Sequence, residues 1–407
     1  MHPQQIRKRK QMSNLPPQLQ KLEQAADKGD LRATFLLAYS FINGEFIEPD
    51  YLRAFTLMSR SAEGGYVEAQ FYLGMLYDSG TGIEADKGKA MKWWKLAADS
   101  DHASAKLYYA INCLTETASD AVRAEGISML KELAEKDVPD ALFYLGACYH
   151  DGHFLPQNYK ESIRLWSKAV RLGHEKSCYM LGDCHYFGKG VKQNFGEALR
   201  LYVMAAEKGN PDAQFSVGNC YFFGLGTNPD MTLAAEWYNK AAAQGHPGAM
   251  YNIGNSYMFG NGAMKDPKKA FEWYGHAAEL GDSDAQYMVG YCYHEGLGIE
   301  KDIEQAFEWW NTAAKASHSE AMLRLGNMYF SGERGEVDHK AAAEWFRKST
   351  DSGNLQAAIQ YGTCLKFGLG VDKDEAQGEK IIAEAKVKLM EDLNGGEEED
   401  GDGNHFR

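Results

Sequence analysis

Residues 213–245 read AQFSVGNCYFFGLGTNPDMTLAAEWYNKAAAQG, and residues 249–281 repeat the pattern as AMYNIGNSYMFGNGAMKDPKKAFEWYGHAAELG. Each stretch begins with an alanine that recurs, once as serine, every 36 residues without an insertion. The ten copies start at Ala33, Ala69, Ala105, Ala141, Ser177, Ala213, Ala249, Ala285, Ala321 and Ala357. A fixed period of this length is typical of a stacked repeat array, in which each unit packs only on its neighbours.

Each unit has the pattern of two helices when the alanine is numbered position 1. Apolar residues at positions 1, 5 and 9, as in Ala213, Val217 and Tyr221, share one face of a first helix. Glycines at positions 12 and 14 end that helix, and an Asp or Asn at position 18 caps a second one. The second helix carries an aromatic residue at position 26 and alanines at positions 29 and 30, a buried stripe. The sequence therefore predicts an all-α fold.

A glycine recurs at position 6, in the middle of the first helix. Glycine in a helix interior costs roughly 1 kcal/mol relative to alanine, so its recurrence needs a structural reason. We expect the second helix to approach the first most closely at this position.

The charge and the hydropathy pattern disfavour several partners and locations. The 407 residues carry a net charge of −14, which disfavours nucleic acid and anionic membrane surfaces. No apolar run approaches the roughly 18–20 residues of a membrane-spanning helix. The N-terminal segment has charge but no apolar stretch behind it, so we expect no secretory signal and a cytoplasmic location. A nuclear address at Arg7–Lys10 is the alternative to a solvated basic tail.

The repeat pattern also predicts the domain organisation. We expect a flexible basic tail over 1–14, a capping helix over 15–32, the solenoid over 33–373, a second capping helix over 374–393 and a disordered acidic tail over 394–407. Of seven cysteines, five share position 8 of the repeat. Equivalent positions in stacked helix pairs lie on the order of 10 Å apart, too far for a disulfide, which predicts buried thiols in a reducing compartment.

The third unit keeps the period but loses its markers. Tyr109, Ala110 and Cys113 replace the aliphatic residue, the glycine and the tyrosine of positions 5, 6 and 9. Both loop glycines and the position-18 cap are also missing. We therefore expect a locally altered loop between the two helices of this unit.

Taken together, the pattern Ala-x3-Leu-Gly-x2-Tyr-x2-Gly-x-Gly-x3-Asp-x3-Ala-x2-Trp-Tyr-x2-Ala-Ala-x2-Gly resembles the Sel-1-like repeat family, relatives of the tetratricopeptide repeats. The resemblance covers about residues 15–390. It implies a right-handed α/α superhelical solenoid and a non-catalytic role as a scaffold or adaptor in protein–protein interaction, without a cofactor. It does not name the partner.

The first helix leaves one face without apolar packing residues, at positions 3, 7, 10 and 11. By analogy with tetratricopeptide proteins we expect this face to line a concave groove that binds a peptide or helix of a partner. The predicted contacts at position 7 are Asp183, Asn219, Asn255, Tyr291 and Asn327, and those at position 10 are Tyr186, Phe222, Met258, His294 and Phe330. The phenylalanines at position 11 are predicted instead to pack adjacent repeats.

Three alternative interpretations are weaker. A zinc site could use Cys148, His150, His153, Cys184 and His185, although their spacing fits no standard site. An enzyme of the family's secreted, cysteine-rich branch, which is linked to β-lactam binding, would need an activated nucleophile beside a base, and only Cys184 and His185 come near. A regulatory subunit that activates a partner enzyme cannot be separated from a scaffold by sequence.

Overall fold

The computed structural model describes residues 15–395, which form 21 α-helices and no strand. The predicted basic tail 1–14 lies outside these residues, as do residues 396–407 of the predicted acidic tail. The helices fall into two compact units that divide between Lys192 and Gln193. In the first unit they are α1 (Pro17–Asp27), α2 (Leu31–Asn43), α3 (Tyr51–Glu63), α4 (Val67–Ser79), α5 (Lys87–Asp99), α6 (Ala103–Cys113), α7 (Asp120–Glu135), α8 (Pro139–Asp151), α9 (Tyr159–Arg171) and α10 (Glu175–Phe187).

The second unit contains the remaining helices. They are α11 (Phe195–Ala206), α12 (Pro211–Phe223), α13 (Met231–Ala242), α14 (Pro247–Phe259), α15 (Pro267–Glu279), α16 (Ser283–Glu295), α17 (Ile303–Lys315), α18 (Ser319–Ser331), α19 (His339–Asp351), α20 (Leu355–Phe367) and α21 (Glu375–Gly395). Within each unit, every helix packs chiefly against its neighbours in the chain. The predicted all-α solenoid of helix pairs is confirmed.

The glycine at position 6 lies where the two helices of a repeat cross. A Cβ atom added to Gly290 would lie 2.5 Å from Cδ1 of Trp310, the position-26 residue of the same repeat. Trp310 is buried, and its indole Nε1 donates a hydrogen bond of 3.1 Å to the carbonyl oxygen of Tyr287. The same clash would occur at Gly74, Gly146, Gly218, Gly254 and Gly326. The glycine therefore makes room for the position-26 ring of the second helix, at the close approach that the sequence predicted.

Two repeats reach a close crossing in another way. In the third repeat position 26 is Leu130, and the glycine has moved to position 22 of the second helix, where a Cβ on Gly126 would lie 2.7 Å from that of Cys113. In the tenth repeat, glycines occupy both positions, and a Cβ on Gly378 would lie 2.5 Å from the carbonyl oxygen of Gly362. Where the ring is absent, the helix backbones themselves come together.

The third repeat also has the altered loop that its sequence predicts. Helix α6 has 11 residues and α7 has 16, whereas the helices of a regular repeat mostly have 13. Ser119 caps α7 from position 15 by accepting from the backbone N–H of Val122. The lost cap and loop glycines are thus replaced by an earlier helix start.

The predicted N-cap of the second helix is confirmed, and the first helix has an N-cap as well. Asp302 at position 18 accepts a 3.0 Å hydrogen bond from the backbone N–H of Gln305, and its counterparts in the other regular repeats do the same for their helices. At position 34, Asn210, His246 and Asp282 cap the first helices that follow them. These bonds satisfy backbone donors that helix starts leave unpaired.

All seven cysteines lie within the described residues, where they are buried, as predicted, and form no disulfide. Among residues 15–395, no helix is long and apolar enough to cross a membrane.

Replacing Gly290 by alanine tests the helix crossing. The added methyl group meets a fully buried Trp310 that has no room to move, so we expect Gly290→Ala to lower the free energy of unfolding by about 1–3 kcal/mol. Chemical denaturation followed by circular dichroism measures the change.

Gly275→Ala is the matched control, because Gly275 lies inside α15 with nothing within 4 Å of an added Cβ. Alanine is the better helix former, so this variant should gain roughly 0.5–1 kcal/mol. Equal effects of the two substitutions would show that helix propensity, and not the ring contact, governs position 6.

Candidate functional site

The second unit contains a pocket of about 410 Å³ between the first helices of the sixth and seventh repeats, α12 and α14. Its wall combines aromatic rings with side-chain amides. The lining residues are Phe215, Asn219, Phe222, Phe223, Tyr238, Gly248, Tyr251, Asn252, Asn255, Phe259, Asn261 and Asp282. A largely apolar cavity with a few convergent polar groups is typical of a binding site.

The rim of the pocket is formed where α12 and α14 end. Phe223 and Phe259 are the last helical residues, and the next residues, Gly224 and Gly260, adopt left-handed conformations that turn the chain away. Phe223 is 42% exposed and Phe259 is 62% exposed. Large apolar rings held at a helix end in contact with water are available to a partner.

The amides of the wall are held by tyrosines from the second helices. The amide oxygen of Asn219 accepts hydrogen bonds from the Tyr238 hydroxyl at 2.7 Å and from Asn252 Nδ2 at 3.3 Å. The amide oxygen of Asn255 accepts from the Tyr274 hydroxyl at 2.7 Å. Because each oxygen serves as the acceptor, the Nδ2 group is the donor that each amide has for other partners, and the hydrogen bond of Asn255 with Tyr251 uses part of this capacity.

A histidine fixes one aromatic wall. The ring of His246 stacks on Phe215, with ring centroids 4.5 Å apart and planes 22° apart. Its Nδ1 accepts from the backbone N–H of Ala249, and its Nε2 lies 3.5 Å from Oδ1 of Asp212. Burial lowers the pKa of His246, and Asp212 opposes that shift. The same stack joins Phe71 to His102 and Tyr287 to His318, so it belongs to the repeat architecture.

Asp282 is the one acidic residue in the wall. Its Oδ1 caps α16 by accepting from the backbone N–H of Ala285 at 2.8 Å. Burial raises the pKa of this carboxyl group above its ordinary value, although the bond from Ala285 partly opposes the shift. The carboxylate is therefore partly desolvated, and the charge of the neighbouring His246 acts in the opposite direction by lowering its pKa.

The pocket brings together three of the ten predicted contact residues: Asn219, Asn255 and Phe222. The other candidates in the second unit lie on α14, α16 and α18 outside the pocket. His294 is held by Glu295 and Glu333, and Phe330 packs on His339 and Phe346. Tyr291 is half-buried and Asn327 is exposed. Asp183 and Tyr186 lie on α10 of the first unit and are half-buried.

Two predictions about side-chain position were wrong. Met258, expected to face a partner, is only 5% exposed and belongs to the core cluster of Tyr274 and Met288, where its flexible thioether chain packs with apolar neighbours. Phe223 and Phe259, expected to pack adjacent repeats, are the exposed rim of the pocket.

Sequence reasoning missed Phe215, Tyr251, Asn252, Asn261 and Asp282 as wall residues. Two of these had a readable signal, because position 3 is aromatic in most repeats and belongs to the face without packing residues. Nothing in the sequence placed Asp282, the cap of α16, beside the aromatic rings of the pocket wall.

The cysteines of the alternative zinc and nucleophile hypotheses are thiols with a raised pKa. Among the described residues, no three His, Cys, Asp or Glu side chains are placed to hold a metal ion. Cys148 and Cys184 are buried, and burial raises the pKa of each thiol to about 11. A thiol with this pKa is almost wholly protonated at neutral pH and is a poor nucleophile.

Comparison with known proteins identifies the repeat. The family model described as the Sel1 repeat matches nine segments: 31–66, 67–102, 139–174, 175–210, 211–246, 247–282, 283–318, 319–354 and 355–380. The gap at 103–138 is the third repeat with its altered loop. A comparison with curated protein sequences gave no match.

Two solved structures are similar over most of the chain. One is c5321, a protective antigen present in uropathogenic Escherichia coli strains and displaying an SLR fold, with 30% identity over 93% of this chain and 83% of that one, and a TM-score of 0.69. The other is a Sel1 repeat protein from Oxalobacter formigenes, with 30% identity over 78% of this chain and 92% of that one, and a TM-score of 0.61. With nine matched repeats and these relatives, the chain belongs to the Sel1 repeat family.

Proposed function

We propose that this protein is a non-catalytic scaffold or adaptor that binds a peptide or helix of a partner protein in the pocket between α12 and α14. The observation that carries the proposal is the combination of exposed phenylalanines with fixed amide donors in one cavity of about 410 Å³. Aromatic anchors in a pocket and backbone hydrogen bonds at its wall are the two elements of peptide recognition.

The geometry of the amides favours an extended segment. Asn219 and Asn255 occupy the same position in consecutive repeats, and the bond from Asn252 to Asn219 joins their helices directly. An extended chain offers a carbonyl every 3.3 Å or so, with side chains alternating in direction. Two amide donors could therefore hold the partner's backbone while alternate side chains enter between the rings.

The helix face formed by repeat positions 7 and 10 continues on α16 and α18 of the second unit. Tyr291 and His294 on α16 and Asn327 and Phe330 on α18 are proposed as further contacts. On the first unit, we propose Asp183 and Tyr186 as contacts. We also propose that the helix face which carries these contacts is concave. If the partner is an enzyme, the protein acts as its regulatory subunit without chemistry of its own.

One observation supports a binding role over catalysis. The nearest pairing of nucleophile and base, Cys184 with His185, has a thiol whose pKa burial raises to about 11.

The compartment is a separate proposal. Seven buried cysteines that form no disulfide among the described residues favour a reducing compartment, and we propose the cytoplasm, with the nucleus as the alternative.

Removing the two rim phenylalanines tests the site. The double variant Phe223→Ala, Phe259→Ala deletes exposed rings, so we expect thermal stability close to that of the parent and a loss of captured partner of roughly tenfold or more. Affinity purification from a lysate of the source cell, quantified by mass spectrometry, compares the two proteins.

Phe367→Ala is the control, because Phe367 occupies the same repeat position with the same 62% exposure as Phe259 but does not line the pocket. It should capture the same proteins as the parent. A partner that is retained by the double variant, or lost equally with Phe367→Ala, would place binding elsewhere.

A second test separates the role of the Asn255 amide in binding from its role in stability. Asn255→Ala leaves the buried Tyr274 hydroxyl without its acceptor and should lower the free energy of unfolding by about 1–3 kcal/mol. Adding Tyr274→Phe removes the unpaired hydroxyl, so the double variant should recover most of that stability.

Partner binding should not recover with it, because the amide donor is still missing. We expect the double variant to bind roughly three- to tenfold more weakly than Tyr274→Phe alone, measured by titration calorimetry with the purified partner. Restored binding in the double variant would show that Asn255 serves only the packing.

A further inference from the structure

One charged residue stands among the twelve that line the pocket between α12 and α14. That residue is Asp282, and the wall otherwise consists of six aromatic residues, four asparagines and a glycine. The cap of α16 uses Oδ1 of Asp282, while a carboxylate has about four lone-pair positions for hydrogen bonds. Because Asp282 also lines the pocket, its side chain retains acceptor capacity for a further donor.

We propose that this pocket binds the side chain of an arginine in the partner's extended segment, with Asp282 accepting from the guanidinium group and the aromatic wall stacking on its faces. The inference rests on the proposed function and specifies the residue that enters the pocket. An arginine fits because its planar cation pairs with a carboxylate and stacks on aromatic rings.

Electrostatics argues against an uncharged anchor. An apolar side chain that filled the pocket would remove water from the Asp282 carboxylate without replacing its hydrogen bonds, which is costly for a charged group. Burial already raises the pKa of Asp282, which shows that its charge is poorly solvated before any ligand enters. A cation reverses this cost, and the net charge of −14 on the chain attracts basic segments.

The acid at residue 282 is not required by the fold. The other position-34 caps of the second unit are Asn210, His246, His318 and Asn354, and each caps its helix without a carboxylate. Asparagine is as good an N-cap as aspartate. The carboxylate beside the aromatic wall thus has no role in capping that an amide could not fill.

The test uses the full chain and four fluorescein-labelled pools of random heptapeptides, whose central residue is fixed as arginine, lysine, leucine or glutamate. Fluorescence polarisation measures binding of each pool. We expect the arginine pool to bind about tenfold more tightly than the leucine and glutamate pools, with lysine between them.

The variant Asp282→Asn keeps the cap and removes the charge. It should weaken binding of the arginine pool about tenfold, leave the leucine pool unchanged, and melt at or above the temperature of the parent because a poorly solvated charge is gone. Asp30→Asn is the matched control, since Asp30 caps α2 in the same way and does not line the pocket.

Distinct outcomes separate this inference from the proposed function. Equal binding of all four pools that is lost in Phe223→Ala, Phe259→Ala would overturn the arginine assignment and leave the peptide site standing. An arginine preference that survives Asp282→Asn would also overturn the assignment. No binding of any pool would contradict both.

Discussion

The packing of a large ring against a glycine where the two helices of most repeats cross is the contact on which the rest of the structure depends. In the sixth repeat, the ring of Tyr238 occupies the space that a Cβ on Gly218 would need, and its hydroxyl group holds the amide of Asn219. The seventh repeat uses Tyr274, Gly254 and Asn255 in the same way. One side chain therefore sets the distance between two helices and orients a donor of the pocket wall.

Periodicity was sufficient to predict the helices and their caps, because these depend on contacts within one repeat. The candidate site was predicted only in part, because it depends on contacts between repeats. The helix periodicity placed Asn219, Asn255 and Phe222 on one face, and all three line the pocket, but it could not show that Met258 packs into the core beside Tyr274. Nor could it show that Asp282, at the start of one repeat's helix, lies beside a wall formed by two others.

The third repeat shows which features of the pattern the fold requires. It keeps the spacing of 36 residues and a close helix crossing, but it obtains that crossing from Gly126 against Cys113 instead of a glycine against a ring. The family model passes over this segment, although its helices pack on their neighbours like the others. The physical requirement is therefore a small residue at the crossing, on either helix.

The pocket has a further consequence because consecutive repeats form it and every helix packs mainly on its neighbours in the chain. Its lining side chains occupy positions that recur along the array, and two of them, Tyr238 and Asp282, also serve the stack as a crossing ring and a helix cap. The side chains that determine ligand preference can therefore be transferred to another pair of repeats. Placing the same side chains at the equivalent positions one repeat later would build an equivalent cavity on the next pair of helices, with no change in the backbone fold.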